Sequence, residues 1–272
     1  MRTKEKLSIT LSKSLIKDLD RISEARGARS RSELIEDILN ELLEKHRIKK
    51  AVLIWKTHHI VGGVPTILAK VGKKTNIERV IEKLAGFGIT EILIGVEGYF
   101  KEIFSLLGDG STFRVKISYA PATKHLGNAG AIKSNQQFFE SSPFLVLSAD
   151  IYFDFKIEDL LKQHFAENNL ATLSLVTVSD PQKFGEVVLN RDKITEFAYK
   201  SRELKSHLIM AGISIFSPEI FSYLPERGDL ETEVFPKLAK EGKLGGFIFD
   251  GIWRHLHNRE QIEGLKKFLK EK

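Results

Sequence analysis

From Ala51 onward, short apolar runs alternate with stretches of helical periodicity, and no other feature constrains the chain as much. AVLIW (51–55), EILIGV (91–96), RVKISYA (114–120), PFLVLSAD (143–150), ATLSLVTV (171–178) and GISIF (212–216) have the length and composition of buried strands. NIERVIEKLAGFG (76–88), NAGAIKSNQQFF (128–139) and IEDLLKQHFAENN (157–169) read as helices between them. This βαβ alternation predicts an α/β fold with a doubly wound, mostly parallel, Rossmann-like sheet. Ligands of such sheets sit beyond the carboxyl ends of the strands, so 55–66, 121–128 and 149–153 are the stretches to watch.

The first fifty residues follow a different rule. Lys6-Leu7-Ser8-Ile9-Thr10-Leu11 alternates strictly, with Leu7, Ile9 and Leu11 on one face of a strand and Lys6, Ser8 and Thr10 on the other. Leu15, Leu19 and Ile22 then fall at helical spacing, which predicts a helix over 14–25 that Gly27 ends. Ser30-Arg31-Ser32-Glu33 has the form of a capping box and predicts a second helix over 31–46, striped by Leu34, Ile38, Leu42 and Leu43. The charged run 44–50 reads as a linker between a 1–48 domain and a 49–272 domain.

Charge is uneven along the chain. Residues 1–50 hold 13 Lys/Arg against 9 Asp/Glu, and the remainder holds 29 against 27. This points to an anionic partner for the N-terminal segment, the plain alternative being a solvated helical surface. The chain has no cysteine, which excludes disulfides and thiolate catalysis and leaves zinc only His and carboxylate ligands. No apolar run approaches the roughly 18 residues of a membrane span, and the N-terminus lacks a signal-like apolar stretch. A cytoplasmic protein without a membrane partner is expected.

Residues 4–46 resemble the ribbon-helix-helix DNA-binding family, most specifically in the KLSITLS strand followed by two helices. The resemblance implies a homodimer or higher oligomer whose paired strands enter the major groove of double-stranded DNA. It makes Lys6, Ser8 and Thr10 base-reading positions. Ser30, Arg31 and Ser32, at the start of the second helix, would meet phosphate. A dimerisation module that never touches DNA is the alternative.

Residues 50–265 resemble sugar-phosphate nucleotidyltransferases of the NDP-sugar pyrophosphorylase type. HLGNAGAI (125–132) is similar to the segment that holds the base, PFLVLSAD to the strand ending in a metal-binding aspartate, and FGEVVLNRDKITEFAYKS (184–201) to the sugar-phosphate segment. By this resemblance Gly127, Asn128, Asp150, Gly185, Tyr199, Lys200 and Gly212 are ligand-binding positions, for a sugar phosphate or sugar nucleotide. Tyr199 replaces a family glutamate and Met210 a family asparagine.

The triphosphate side departs from the family pattern. The loop between Ile54 and Pro65 is shorter than the family's, carries no arginine, and has Thr66 where a lysine is expected. Gly62-Gly63 reads as a turn rather than a phosphate cradle. His255 stands where the family has its second metal-binding aspartate, and imidazole suits Mg²⁺ poorly. A transition-metal site of Asp150 and His255, with His257 in reach, is the metal alternative. Adjacent His58 and His59 would point to opposite faces of an extended backbone.

These readings converge on a sequence-specific DNA-binding transcription regulator. Its second domain is catalytically inactive, senses a sugar phosphate or sugar nucleotide or mediates assembly, and needs no cofactor. The enzyme alternative is an active nucleotidyltransferase with a dimerising N-terminal arm, and a DNA-organising protein without a ligand is a third.

Overall fold

A computed structural model describes residues 5, 7–45, 47–54, 60–96, 98–121, 125–139, 142–200 and 205–271. The chain falls into two compact units, residues 1–47 and 48–272. Ile48 is buried in the core of the second, so the boundary lies one residue before the expected one.

In the first unit, helix α1 (Lys13–Arg26) starts at Ser12, whose hydroxyl accepts from the Leu15 amide. It ends at Gly27, which adopts φ +66° and closes a Schellman motif through the Ala28 amide and the Ser23 carbonyl. Helix α2 (Arg31–Lys45) follows. Ser30 accepts from the Glu33 amide as expected, but the Glu33 carboxylate reaches back to the Arg29 amide instead of to Ser30. Leu19 and Leu34 are buried.

The expected strand over 6–11 does not form in described residues 7–12. A lone strand has no ladder to bond its backbone groups. Leu7 stays 82% and Ile9 54% exposed, with Leu15, Leu39 and Leu42 about half exposed.

The second unit begins with β1 (Lys50–Ile54), two short hairpins, β2 (Ile60–Val61) with β3 (Val64–Pro65) and β4 (Lys70–Val71) with β5 (Lys74–Thr75), and α3 (Asn76–Phe87). Then come β6 (Glu91–Val96), α4 (Phe100–Leu107), β7 (Lys116–Pro121), α5 (Gly127–Ser134), α6 (Gln136–Phe139), β8 (Phe144–Ser148), β9 (Ile151–Phe153) and α7 (Ile157–Ala166). The last part holds β10 (Ala171–Thr177), β11 (Gly185–Asn190), β12 (Lys193–Tyr199), β13 (Leu208–Phe216), α8 (Phe235–Lys240), β14 (Leu244–Ile248), β15 (Trp253–His255) and α9 (Arg259–Glu271).

Among the described residues, nine strands form one sheet in the order β10-β14-β12-β11-β13-β8-β1-β6-β7. β8, β1, β6 and β7 run parallel, the doubly wound part. β13 joins them antiparallel and pairs with β10, the expected 171–178 strand, and with the β11–β12 hairpin, which sequence periodicity does not resolve as clearly. Successive β1 residues face opposite layers. Ala51 and Leu53 pack with α3, α4 and α7, while Val52 packs with α5, α6 and α8. Thr75 and Glu78 make a complete capping box at the start of α3.

Gly62 and Gly63, both at positive φ, form the turn of the β2–β3 hairpin, as the type I′ geometry of a two-residue hairpin demands. Residues 55–59, including His58 and His59, lie outside the described residues. Thr66 is buried in the 3₁₀ turn that follows Pro65. Among the described residues, no helix is long and apolar enough to cross a membrane.

Candidate functional site

The carboxyl end of β8 and its neighbours open onto a cleft of about 540 Å³ in the second unit. Six of the seven ligand-binding positions expected from the sequence line it: Asn128, Asp150, Gly185, Tyr199, Lys200 and Gly212. They come from α5, the β8–β9 turn, the β11–β12 hairpin and β13, so the fold gathers residues up to 84 positions apart in the chain. Gly127 stands beside the lining. Its φ is +67°, and a Cβ there would lie 2.2 Å from the Gly228 carbonyl oxygen, so only glycine fits this close approach.

Asn128 has a structural task. Its amide donates to Glu231 (2.8 Å), and its carbonyl oxygen accepts from the Leu230 amide (2.7 Å). It thereby fixes the 228–231 segment against α5. Lys200 sits at φ +53°, a left-handed conformation uncommon outside glycine, and its amide donates to the Phe184 carbonyl. Its ammonium lies 5.2 Å from the Tyr199 ring centre. Gly185 packs directly against the Phe197 ring.

Asp150 is held from three sides. The buried Asn76 side chain donates to the carbonyls of both its neighbours, Ala149 (3.0 Å) and Ile151 (2.8 Å). The Leu256 amide donates to the Asp150 carbonyl (2.8 Å), continuing the antiparallel β9–β15 ladder. That ladder brings β15 across the cleft floor. Leu256 turns into a small core with Val71, Ile262 and Leu265, and the residues on either side of it, His255 and His257, face the other way.

The result is a cluster around one carboxylate. His257 Nε2 lies 3.1 Å from Asp150 Oδ2, and His255 Nε2 lies 3.7 Å from Oδ1. His255 stacks on Trp253 and meets Phe184, while the Trp253 indole donates to the Ala211 carbonyl. His257 is fixed by its backbone amide, which donates to Gln261. One carboxylate with two imidazoles does not fit Mg²⁺, a hard ion that demands oxygen ligands. His255, the sequence-based candidate, lies beside Asp150, and His257 lies closer to it than His255 does.

Sequence reasoning missed Asn76, a helix-start asparagine whose burial and two acceptors no local pattern betrays. It also missed Lys183 and Glu231, which line the cleft. Lys183 pairs with Asp180 at 2.9 Å.

In the first unit, Ser8 and Thr10 are exposed, and Lys6 lies outside the described residues. Ser30 spends its hydroxyl on the α2 cap, and Ser32 is exposed. Arg31 is engaged in a two-pronged pair with Asp20. Hydrogen bonding from Arg31 holds the Asp20 carboxyl below its ordinary range, and Asp20 raises the guanidinium in turn.

Residues 63–270 match the family model described as nucleotidyl transferase, and residues 5–46 match that described as ribbon-helix-helix protein, copG family. The chain belongs to the nucleotidyl transferase family and carries a ribbon-helix-helix domain in front of it. It is 32% identical over 198 residues to a mannose-1-phosphate guanyltransferase of Gibberella zeae, covering 70% of this chain and 54% of that one. It is 30% identical over 198 residues to that of Saccharomyces cerevisiae, covering 70% and 55%. The chain thus spans about half the length of these curated relatives. Among solved structures, a UDP-glucose pyrophosphorylase complexed with UDP-glucose matches with a TM-score of 0.70 at 16% identity, covering 83% of this chain and 100% of that one. HddC from Yersinia pseudotuberculosis matches at 0.69 and 18%, covering 82% and 100%. At these identities the structural likeness concerns the fold.

Proposed function

We propose that this protein is a DNA-binding regulator whose nucleotidyltransferase-type cleft binds a phosphorylated sugar or sugar nucleotide without turning it over. The observation that carries this reading is the uneven character of the cleft. Gly185, Tyr199, Lys200 and Gly212 line it on the sugar-phosphate side, while the second family carboxylate is replaced by His255 and the loop lysine by the buried Thr66. In phosphoryl transfer, catalysis rests almost wholly on positioning and on neutralising the phosphates. Losing an arginine, a lysine and a metal carboxylate together removes that neutralisation.

Double-stranded DNA is the partner of the first unit, read by a ribbon that two copies of the chain build together. A ligand regulates only if it binds two states of such a dimer with different affinity. A typical coupling changes DNA affinity about 5- to 150-fold, and by reciprocity DNA changes ligand affinity equally. The names of the relatives put mannose 1-phosphate and guanine nucleotides first among the ligands to test.

The test is a thermal-shift screen of sugar phosphates and sugar nucleotides, followed by DNA titrations with and without each hit. A hit that shifts DNA affinity supports the reading, and Lys200→Ala should abolish that response. A hit that leaves DNA affinity unchanged refutes regulation through this cleft. The relatives' names also favour a second reading, an active transferase. Pyrophosphate release from nucleoside triphosphate and sugar 1-phosphate, lost in Asp150→Ala, would establish it instead.

A further inference from the structure

Among the described residues, Asp150, His255 and His257 bring three donor atoms within 4.8 Å of one another. We propose that they form a binding site for one first-row transition-metal dication of the Zn²⁺ or Co²⁺ kind, in place of a Mg²⁺ site. Spacing, chemistry and preorganisation support this site, whether or not the cleft serves DNA regulation.

Spacing comes first. With metal–ligand bonds of about 2.0–2.2 Å, donors that share a tetrahedral ion stand roughly 3.3–3.6 Å apart. His257 Nε2 lies 3.1 Å from Asp150 Oδ2, a hydrogen-bond distance, and His255 Nε2 lies 3.7 Å from Oδ1, values on either side of that range. The longer one exceeds hydrogen-bond length and lies just above the spacing of two ligands of one tetrahedral ion.

Chemistry selects the ion. Imidazole suits Zn²⁺, Co²⁺ and Ni²⁺, and two imidazoles with one carboxylate are a recurrent donor set for first-row metals. Mg²⁺ keeps its waters and seeks oxygen. The chain has no cysteine to complete a closed structural site. Three protein donors leave a position for water or for an anionic oxygen such as that of a phosphate in the cleft.

The donors are also held in place. His255 ends β15 and His257 follows two residues on, with Leu256 between them fully buried. The β9–β15 ladder sets their register against Asp150. Trp253 and Phe184 flank the His255 ring, and Asn76 clamps the turn that bears the carboxylate.

The experiment uses tag-free, full-length protein stripped with chelator and then freed of it. Zn²⁺ binding is followed by calorimetry and Co²⁺ binding by visible absorption. The expected result is one Zn²⁺ per chain that excess Mg²⁺ does not displace, and a Co²⁺ spectrum of four or five ligands. His257→Ala should weaken Zn²⁺ by more than the roughly 10–100-fold that loss of an outer-sphere partner costs. His207→Ala, an exposed histidine outside the cluster, should change nothing. Absent stoichiometric uptake, or uptake unaffected in the His255→Ala/His257→Ala double variant, overturns the proposal. Should that variant fail to fold, crystals of the wild-type protein with Zn²⁺ decide. An anomalous peak among the three side chains supports the site, and a peak elsewhere or none refutes it.

Discussion

Arg31 grips Asp20 with both arms of its guanidinium, at 2.6 and 2.8 Å, across the two helices of the first unit. The pair is exposed, so its contribution to stability is small. It matters because the ribbon-helix-helix resemblance would have Arg31 meet DNA phosphate, and binding there would require it to release or share Asp20. Asp20→Asn should therefore raise affinity for all DNA sequences alike. Arg31→Ala should lower it alike and reduce the salt slope by about 0.9, the share of a single neutralised phosphate. Binding measured across a salt series checks both, and an unchanged slope in Arg31→Ala would remove the phosphate assignment.

Ser8 and Thr10 are exposed, and the ribbon-helix-helix resemblance would have them read base edges. Ser8→Ala and Thr10→Ala should each weaken specific binding by about 1–3 kcal/mol and leave non-specific binding nearly unchanged. Gel shifts with the preferred site and with random DNA separate the two effects. Equal weakening on both DNAs would mean these hydroxyls do not read sequence.

Asn76 is buried and donates to the two carbonyls that flank Asp150. Asn76→Ala leaves both without that donor and should cost about 2–4 kcal/mol of stability, since each buried unsatisfied group costs roughly 1–3 kcal/mol. Denaturant midpoints measure it. A drop under about 0.5 kcal/mol, the scale of an ordinary surface substitution, would show that the turn holds itself.

His164 is buried between Thr172 and Ser217, at 2.9 and 3.0 Å, and burial pushes its pKa down to about 4. An unfolded histidine titrates near 6.5. Below about pH 6.5 the unfolded chain takes up a proton that the native chain refuses until about pH 4. Stability from this group is therefore full above that window and falls as pH drops through it, by about 3 kcal/mol in all. Urea unfolding at pH 7, 5.5 and 4.5 should show a steeper decline for the wild type than for His164→Gln. Parallel curves would contradict the assignment.

Local signals in the sequence were sufficient for much of the fold. The periodicity of Leu15, Leu19 and Ile22 and the stop at Gly27 specify α1 within a residue at each end. Thr75 and Glu78 cap α3, and β1, β6 and β8 are short apolar runs whose two-sided burial needs no tertiary information to anticipate. The β11–β12 hairpin is harder to read. Charged Glu186, Arg191, Asp192, Lys193 and Glu196 dilute its apolar pattern, and its partners β13 and β14 lie well downstream.

What the sequence by itself determined is the order of the two domains, their classes and the residue types available at each position, because helix caps, turns and periodicity act over a few residues. Only the tertiary structure decided which of those residues meet. Asp150 and His257 are 107 positions apart, and nothing between neighbours in the chain relates them. The β9–β15 ladder sets their register, the burial of Leu256 sets which way the histidines face, and Asn76 sets the turn that carries the carboxylate. The same holds in reverse for the N-terminal segment. Its alternation is complete in the sequence, yet residues 7–12 form no strand alone, because a ladder needs a second backbone to bond.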